Sequence, residues 1–395
     1  MNFGILALIV LAGLGGPLIA AGRHGFVPVV VGELAAGVLI GKTGAHWLDP
    51  AQSTIVFLAD IGFAMLMFSA GMHVPIRQPG IIRGFRRGLV AAVIVAALSI
   101  PVGLGIAAVT PNGHAAIYAL LLASGSAAVL LPILEEEQLL GDGRALVLMA
   151  QVGIADVAAI VALPLVMQPG KALHVALGTL AVALAAIVAL ALARLLRGHP
   201  LTHRFRQESK QRGWALDLRL SLLLLFALAW LASRTGTSIL IAGFAVGLLV
   251  AIVGGPKRLS TQVTGIASGF FVPLYFVTLG AKIDLRAVFQ HPSTLELAIL
   301  LLVANVAVHL VGARSSGQSF PAGFAATAQL GLPAGVATLG LDQHIITPAQ
   351  AAAILLAALA TIALCPAGVA YLRRRSERND RDDTNSANTN ALETP

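Results

Sequence analysis

Asp156 lies in Met149–Val161, MAQVGIADVAAIV, where every other residue except Gln151 is apolar or glycine. An ionised carboxylate at bilayer depth costs about 2.5–3.5 kcal/mol on insertion scales, so such a residue is a functional candidate by default. A low-dielectric setting disfavours the charged form of a carboxyl group, which lets it exchange a proton at physiological pH. Once ionised, it is also an oxygen ligand for a small hard cation. Further oxygens stand nearby in the chain. Ser124 and Ser126, flanking Gly125, interrupt the preceding apolar run, and Gln151 comes about one and a half turns before Asp156. A proton and a transient monovalent cation, Na+ or K+, competing for Asp156 is the chemistry this set supports. The Ser124 and Ser126 hydroxyls and carbonyls freed by helix interruption would complete the ligand shell. The plainer reading is an Asp hydrogen-bonded between helices, with the Ser-Gly-Ser run as ordinary helix packing.

The elements that must position these residues follow from composition. With 57% hydrophobic and 11% charged residues in 395, the chain has to be solvated by lipid. Apolar stretches recur at approximately 3–21, 27–41, 55–72, 89–109, 115–134, 145–166, 172–195, 217–233, 236–253, 265–281, 294–312, 321–341 and 349–372. This predicts an all-α polytopic membrane protein of about 13 transmembrane helices. The net charge of +8 raises nucleic acid as a partner, but its distribution speaks for topology instead. With the N-terminus outside, 21 of the 26 Lys and Arg fall on inner loops or the tail, so the C-terminus is cytoplasmic. The setting expected is the plasma membrane, as in a bacterial inner membrane, with lipid as the partner and no nucleic acid. The first apolar run lacks a basic n-region and reads as a retained helix. Residues 373–395 are expected to be a disordered cytoplasmic tail. The single Cys365 permits no internal disulfide and reads as packing.

The halves of the membrane part resemble each other. Leu34-Ala-Ala-Gly-Val-Leu-Ile aligns with Phe244-Ala-Val-Gly-Leu-Leu-Val at an offset of 210. A displacement of seven spans reverses orientation, so these would be inverted repeats. The transmembrane domain, 1–372, then divides into repeat one at about 1–166, a linker helix at about 172–195 and repeat two at about 217–372. The same offset carries the Ser124–Ser126 interruption onto Ala334–Val336, within Gln329-Leu-Gly-Leu-Pro333-Ala-Gly335. Two Gly/Pro/Ser-interrupted helices in corresponding positions are the pointer to a midplane site. Asp156 itself maps onto Pro366, so the site is asymmetric. Supporting roles fall to four further polar residues. Glu33 is either a snorkelling interfacial carboxylate or a participant in helix contacts or ion entry, and Asp60 is a structural or a transport residue. Asn305 and His309, one turn apart, are hydrogen-bonding residues between helices or part of the site. Pro273 is expected to kink its span.

Three stretches carry a family resemblance. They are Val-Gly-Glu-Leu-Ala-Ala-Gly-Val-Leu-Ile-Gly at 31–41, Gly-Phe-Phe-Val-Pro-Leu-Tyr-Phe-Val-Thr-Leu-Gly at 269–280, and Asp156 in the span after the first interrupted helix. From about Phe26 to Tyr371 the chain resembles the cation:proton antiporter-2 family, the Kef-type and sodium/proton exchangers. That resemblance implies a homodimer, with a dimerisation domain and a mobile core built on two crossed, discontinuous helices, and it places the family's ion-binding aspartate at Asp156. The chain departs from the family pattern at three points. Ala155 stands where many relatives have Asp or Asn and Kef-type members have Gln. Asn305 stands where some members have a lysine, and Gln329-Leu-Gly-Leu-Pro replaces an Arg-Gly-Glu-like stretch. One titrating carboxylate implies one proton per monovalent cation. The expected function is therefore electroneutral exchange of Na+ or K+ for H+ by alternating access, with no enzymatic activity and no cofactor beyond the transported ions. A regulatory subunit stays unidentified. The alternatives are a sodium-coupled organic-anion symporter of related fold and a passive cation channel or transport-inactive sensor.

Overall fold

The structure, a computed structural model, describes residues 3–21, 29–74, 76, 81–140, 142–197, 207–209, 211–254, 257–282 and 292–392. Arg23, Arg77, Arg204, Arg206, Lys210 and Arg286, which enter the orientation argument, lie outside them. Among the described residues the regular elements are all helical. The chain opens with α1 (Phe3–Gly13), α2 (Gly15–Ala20), α3 (Val29–Ile40), α4 (Ser53–Met72) and α5 (Ile81–Val109). It continues with α6 (Ala115–Ala123), α7 (Ala127–Glu136), α8 (Gly143–Met167), α9 (Ala172–Arg197), α10 (Leu216–Arg234) and α11 (Ile239–Val253). The remainder is α12 (Lys257–Ile266), α13 (Val272–Lys282), α14 (Pro292–Ser315), α15 (Phe320–Ala326), α16 (Gly331–Asp342) and α17 (Pro348–Leu392).

Nine helical segments among the described residues are long and apolar enough to cross a bilayer, accompanied by four shorter apolar ones, Phe3–Ile19, Val29–Ile40, Ala115–Leu131 and Ile239–Val253. Helices are the solution lipid demands, because every backbone polar group inside it must be satisfied within the chain. Local sequence sets several ends. Asp142 caps α8 by accepting the Arg144 N–H at 2.6 Å, and Ser238 caps α11 by accepting the Leu240 N–H at 3.3 Å. Gly254, at φ 70°, closes α11 in a left-handed conformation. Leu173, Leu177, Leu184 and Leu195 on α9, with Leu223 and Trp230 on α10, stay exposed as a lipid-facing surface.

Two expectations about the elements change, and a third gains local detail. The second interruption lies at 327–330, between α15 and α16, instead of at Ala334–Val336. Pro333 is the third residue of α16, and Gly335 follows inside the helix. A proline in the first turn lacks only an N–H that would be unsatisfied anyway, so it marks a helix start and the break falls before it. At Pro273, where a kink is expected, the span stays helical. The turn ahead of it, Ala267–Phe271, widens into a π-helix, which makes room for the ring against the preceding carbonyls. The last helix is continuous to Leu392, through the polar stretch expected to be disordered.

The helices sort into two packing groups. The first holds α1–α4 and α10–α13, with its closest packing between α4 and α11 and between α3 and α13. The second holds α5–α8 and α14–α17, where α5 packs on α6 and α8 and α17 on α14 and α15. Each half of the second group runs helix, interrupted helix, helix. Between the groups lie α9, which touches α8, α10 and α11, and only thin contacts elsewhere.

Candidate functional site

Both interruptions sit in the second group, and they meet. After Ala123 the backbone turns extended at Ser124 (φ −85°, ψ 163°) and Ser126 (φ −136°, ψ 106°) before α7 begins. Gly125 lets this segment lie directly on α8, since a Cβ there would be 3.0 Å from Val152 Cγ1, one turn ahead of Asp156. On the opposite side, the Gln329 side chain from the second interruption donates through Nε2 to Leu121 O at 2.5 Å and to Ser124 O at 3.3 Å. The two broken helices thus cross at their breaks.

Asp156 is 2% exposed, and its Oδ2 accepts the backbone N–H of Ala127 at 3.0 Å. Ala127 is the first residue of α7, so the carboxylate sits on the positive end of a half-helix. Ser126 precedes that helix and would ordinarily cap it through its hydroxyl, but its side chain makes no capping bond. Asp156, remote in sequence, does that work, which leaves the buried Ser126 hydroxyl at the break. The Ser124 hydroxyl is committed to Leu121 O at 2.9 Å.

The exposed carbonyls of the breaks are met by neutral amides. Asn305 on α14 donates from Nδ2 to Thr327 O at 3.0 Å, while its Oδ1 accepts from Gln329 Nε2 at 3.2 Å. His309 Nδ1 lies 3.0 Å from Asn305 O, and the ring lies beside the backbone of Ser124. Asn305, His309, Ser124, Ser126, Gly125 and Asp156 are therefore gathered at one crossing. Among the described residues no cluster of three or more His, Cys, Asp or Glu stands ready for a metal.

Gln151 is not drawn into that cluster. Its Oε1 accepts from Gln318 Nε2 at 2.6 Å, and the same Nε2 also reaches Ser316 Oγ at 3.2 Å. Gln151 thus ties α8 to the turn before α15. Asp60 and Glu33 belong to the other packing group. Asp60 faces a cavity of about 230 Å³ at the end of the molecule where α4 starts and α8 and α16 finish, with Phe63, Pro164, Gln168, Thr338 and Asp342 in its wall. Pro164 is eight residues beyond Asp156, about 12 Å along α8. Glu33 is buried in α3. Pro333 and Gly335 start α16. A Cβ on Gly335 would be 3.0 Å from Leu163 Cδ2, 3.1 Å from Leu240 Cδ1 and 3.4 Å from Phe63 Cζ, where the two groups touch.

Two contacts that spacing alone does not single out also join the groups. The Tyr275 hydroxyl on α13 donates to Ala334 O at 3.1 Å and shares a 2.8 Å hydrogen bond with Thr338 Oγ1 on α16. Lys282 Nζ, at the end of α13, lies 2.9 Å from Asp342 Oδ1 at the end of α16. Gln329 is the other member the spacing argument misses. Its sequence signal is a long amide in an apolar span just before a first-turn proline.

Known proteins share this architecture. The structure of the sodium proton antiporter MjNhaP1 from Methanocaldococcus jannaschii at pH 8 superposes with a TM-score of 0.63 at 17% identity, covering 95% of this chain and 96% of that one. A putative Na(+)/H(+) antiporter of Bacillus subtilis (strain 168), YjbQ, is 25% identical over 378 residues, which make up 91% of this chain and 61% of that protein. The chain thus spans about three fifths of that relative's length. The Na(+)/H(+) antiporter of Enterococcus hirae is 24% identical over 313 residues, 78% of this chain and 79% of that protein. The K(+) efflux antiporter 2, chloroplastic, of Arabidopsis thaliana is 26% identical over 298 residues, 72% of this chain and 25% of that protein. The family model described as "Sodium/hydrogen exchanger, transmembrane" matches residues 6–372, through both interrupted helices and Asp156, and the chain belongs to that family.

Proposed function

We propose that the chain exchanges Na+ or K+ for H+ across the membrane by alternating access, with Asp156 as the group both ions use. The carrying observation is a single buried carboxylate on the N-terminus of a half-helix, at the crossing of two broken helices. Oδ2 is held by the Ala127 N–H, which stabilises the ionised form and leaves Oδ1 for a cation. The Ser126 hydroxyl and carbonyls of the breaks supply further oxygens, while Asn305 and Gln329 satisfy the other half-helix ends without adding charge. A bare carboxylate is too costly to carry across lipid, so Asp156 moves only with a proton or a cation on it. One carboxylate then gives one H+ per monovalent cation, which makes the exchange electroneutral. Symport of an organic anion would need a Lys or Arg at the crossing, and none lies there among the described residues.

In this reading the group holding α1–α4 and α10–α13 is the static scaffold through which two copies form a homodimer, and the group holding the broken helices moves against it. Counting the four shorter apolar helices as crossings gives about thirteen spans, N-terminus outside and C-terminus cytoplasmic. The Asp60 and Asp342 cavity then opens outward. The test is exchange in proteoliposomes with Na+, K+ and Li+ gradients, read by an internal pH dye. Asp156→Asn is expected to abolish exchange with any of the three, and exchange surviving in that variant would refute the assignment.

A further inference from the structure

Glu33 is unexplained by the broken-helix site. It is 3% exposed, and among the described residues its Oε2 has no hydrogen-bond partner. An orphaned carboxylate oxygen this deep in an apolar scaffold calls for a ligand or a function. The helices packed on α3 are chiefly α1, α2 and α13. α1 and α2 contain no titratable side chain. On α13 Tyr275 is held by Thr338 and Ala334, and Lys282 by Asp342. No described charge is left to face Glu33.

The fit around it is tight on one side. A Cβ on Gly16 of α2 would come within 2.8 Å of Glu33 Cγ, and one on Gly32 within 2.7 Å of Gly16 Cα. α2 thus lies backbone to backbone on α3, against the stem of Glu33. α2 is also only six residues long, joined to α1 through Leu14. A bound proton removes the charge and lets Glu33 stay in this packing. Once ionised, the carboxylate needs solvation, and moving α2 off α3 would admit it.

We propose that Glu33 is a second proton-binding site, in the scaffold and separate from Asp156, whose ionisation loosens α2 from α3 and so sets the pH range over which the protein transports. The sign follows from the packing. Low pH keeps Glu33 neutral and α2 seated, and rising pH favours the ionised, loosened form. The effect on transport rests on the antiport reading, whereas the proton site does not.

Two measurements on the purified full chain separate these parts. Infrared pH titration is expected to show a carboxylic-acid C=O band that Glu33→Gln removes and Asp156→Asn leaves in place. In proteoliposomes Glu33→Gln, locked neutral, is expected to shift the midpoint of the pH–rate profile by one unit or more, about a tenfold rate change on the flank, with the maximal rate unaltered. Glu33→Asp, which keeps a titrating group on a shorter stem, is expected to move both the band and the midpoint. If the wild type does not exchange ions but the band titrates and disappears in Glu33→Gln, the antiport reading fails and the proton site stands. An infrared titration unchanged by Glu33→Gln overturns the site. A superimposable pH–rate profile overturns its regulatory role. Should Glu33→Gln fail to fold, a band and titration unchanged in Glu33→Asp overturn the site equally.

Discussion

At the level of single residues, the chemistry concentrates on one oxygen pair. In the proposed reading a proton and a cation compete for Asp156, so lowering the pH below the carboxyl's titration should raise the apparent KM for the cation about tenfold per unit while leaving the maximal rate at saturating cation unchanged. Initial rates against cation concentration at several pH values check this, and a KM independent of pH would exclude competition. Gln329 is the second residue to test. Gln329→Leu removes one donor from Leu121 O, which keeps the Ser124 hydroxyl and N–H, and takes from the Ser124 carbonyl the Gln329 donor, a cost of about 1–3 kcal/mol. Its expected signature is a lowered unfolding temperature together with weakened cation affinity, read by thermal-shift assays with and without Na+. The identity of Asp156 was legible as a lone charge in an apolar run. Its partner was not, since Ala127 contributes a backbone N–H and any residue type could stand there. Gln151 shows the limit of sequence proximity: it lies five positions from Asp156, but its side chain is engaged by Gln318, 167 residues on.

At the level of elements, Ser, Gly and Pro mark where helices stop, and the local physics decides on which side of them. Pro333 indicated a break, but a first-turn proline puts that break before it, at 327–330. The offset between the halves is therefore 203 at the breaks, where Ser124 corresponds to Thr327, against 210 at the Leu34 and Phe244 stretches. The difference is two helical turns, which preserves the face presented. Glycine spacing acts on the scaffold in the same way. A Cβ on Gly37 would fall on the Val277 carbonyl and one on Gly280 on the Leu34 carbonyl, so α3 and α13 approach as closely as backbones allow. Gly37→Ala forces these helices apart and should destabilise the protein by about 1–3 kcal/mol. The expected result is a melting temperature several degrees lower with the affinity at Asp156 intact, measured by thermal unfolding in detergent and by Na+ binding.

For the molecule as a whole, the thin junction between the two packing groups is the feature with consequences. Tyr275 with Thr338 and Ala334, and Lys282 with Asp342, fasten α13 to α16 beside the cavity that Asp60 lines. Removing the Tyr275 hydroxyl should shift the population toward states in which the groups have separated there, by about 1–1.5 kcal/mol or roughly tenfold. Tyr275→Phe is therefore expected to speed labelling of an Ile239→Cys variant by a membrane-impermeant thiol reagent. The native Cys365 is fully buried and contributes little background. An unchanged labelling rate would show that the hydroxyl is not a fastening. Charge balance belongs to this scale too. With one carboxylate and, among the described residues, no compensating lysine at the crossing, an imposed membrane potential should leave the exchange rate unchanged, checked in proteoliposomes with a potassium ionophore.

The sequence by itself determined the lipid-embedded helical class, the two interrupted helices and the candidate carboxylate. Each depends on local composition: apolar length, residues that free the backbone, and the cost of charge in hydrocarbon. Only the tertiary structure decided which oxygens surround Asp156, that the breaks meet through Gln329 and Asn305, and that Gln151 and Asp60 lie elsewhere. It also revealed Glu33 as a buried carboxyl whose Oε2 has no hydrogen-bond partner among the described residues. Those facts depend on contacts between separate helices, from 24 to 208 residues apart at the crossing, and on backbone groups that carry no sequence signature.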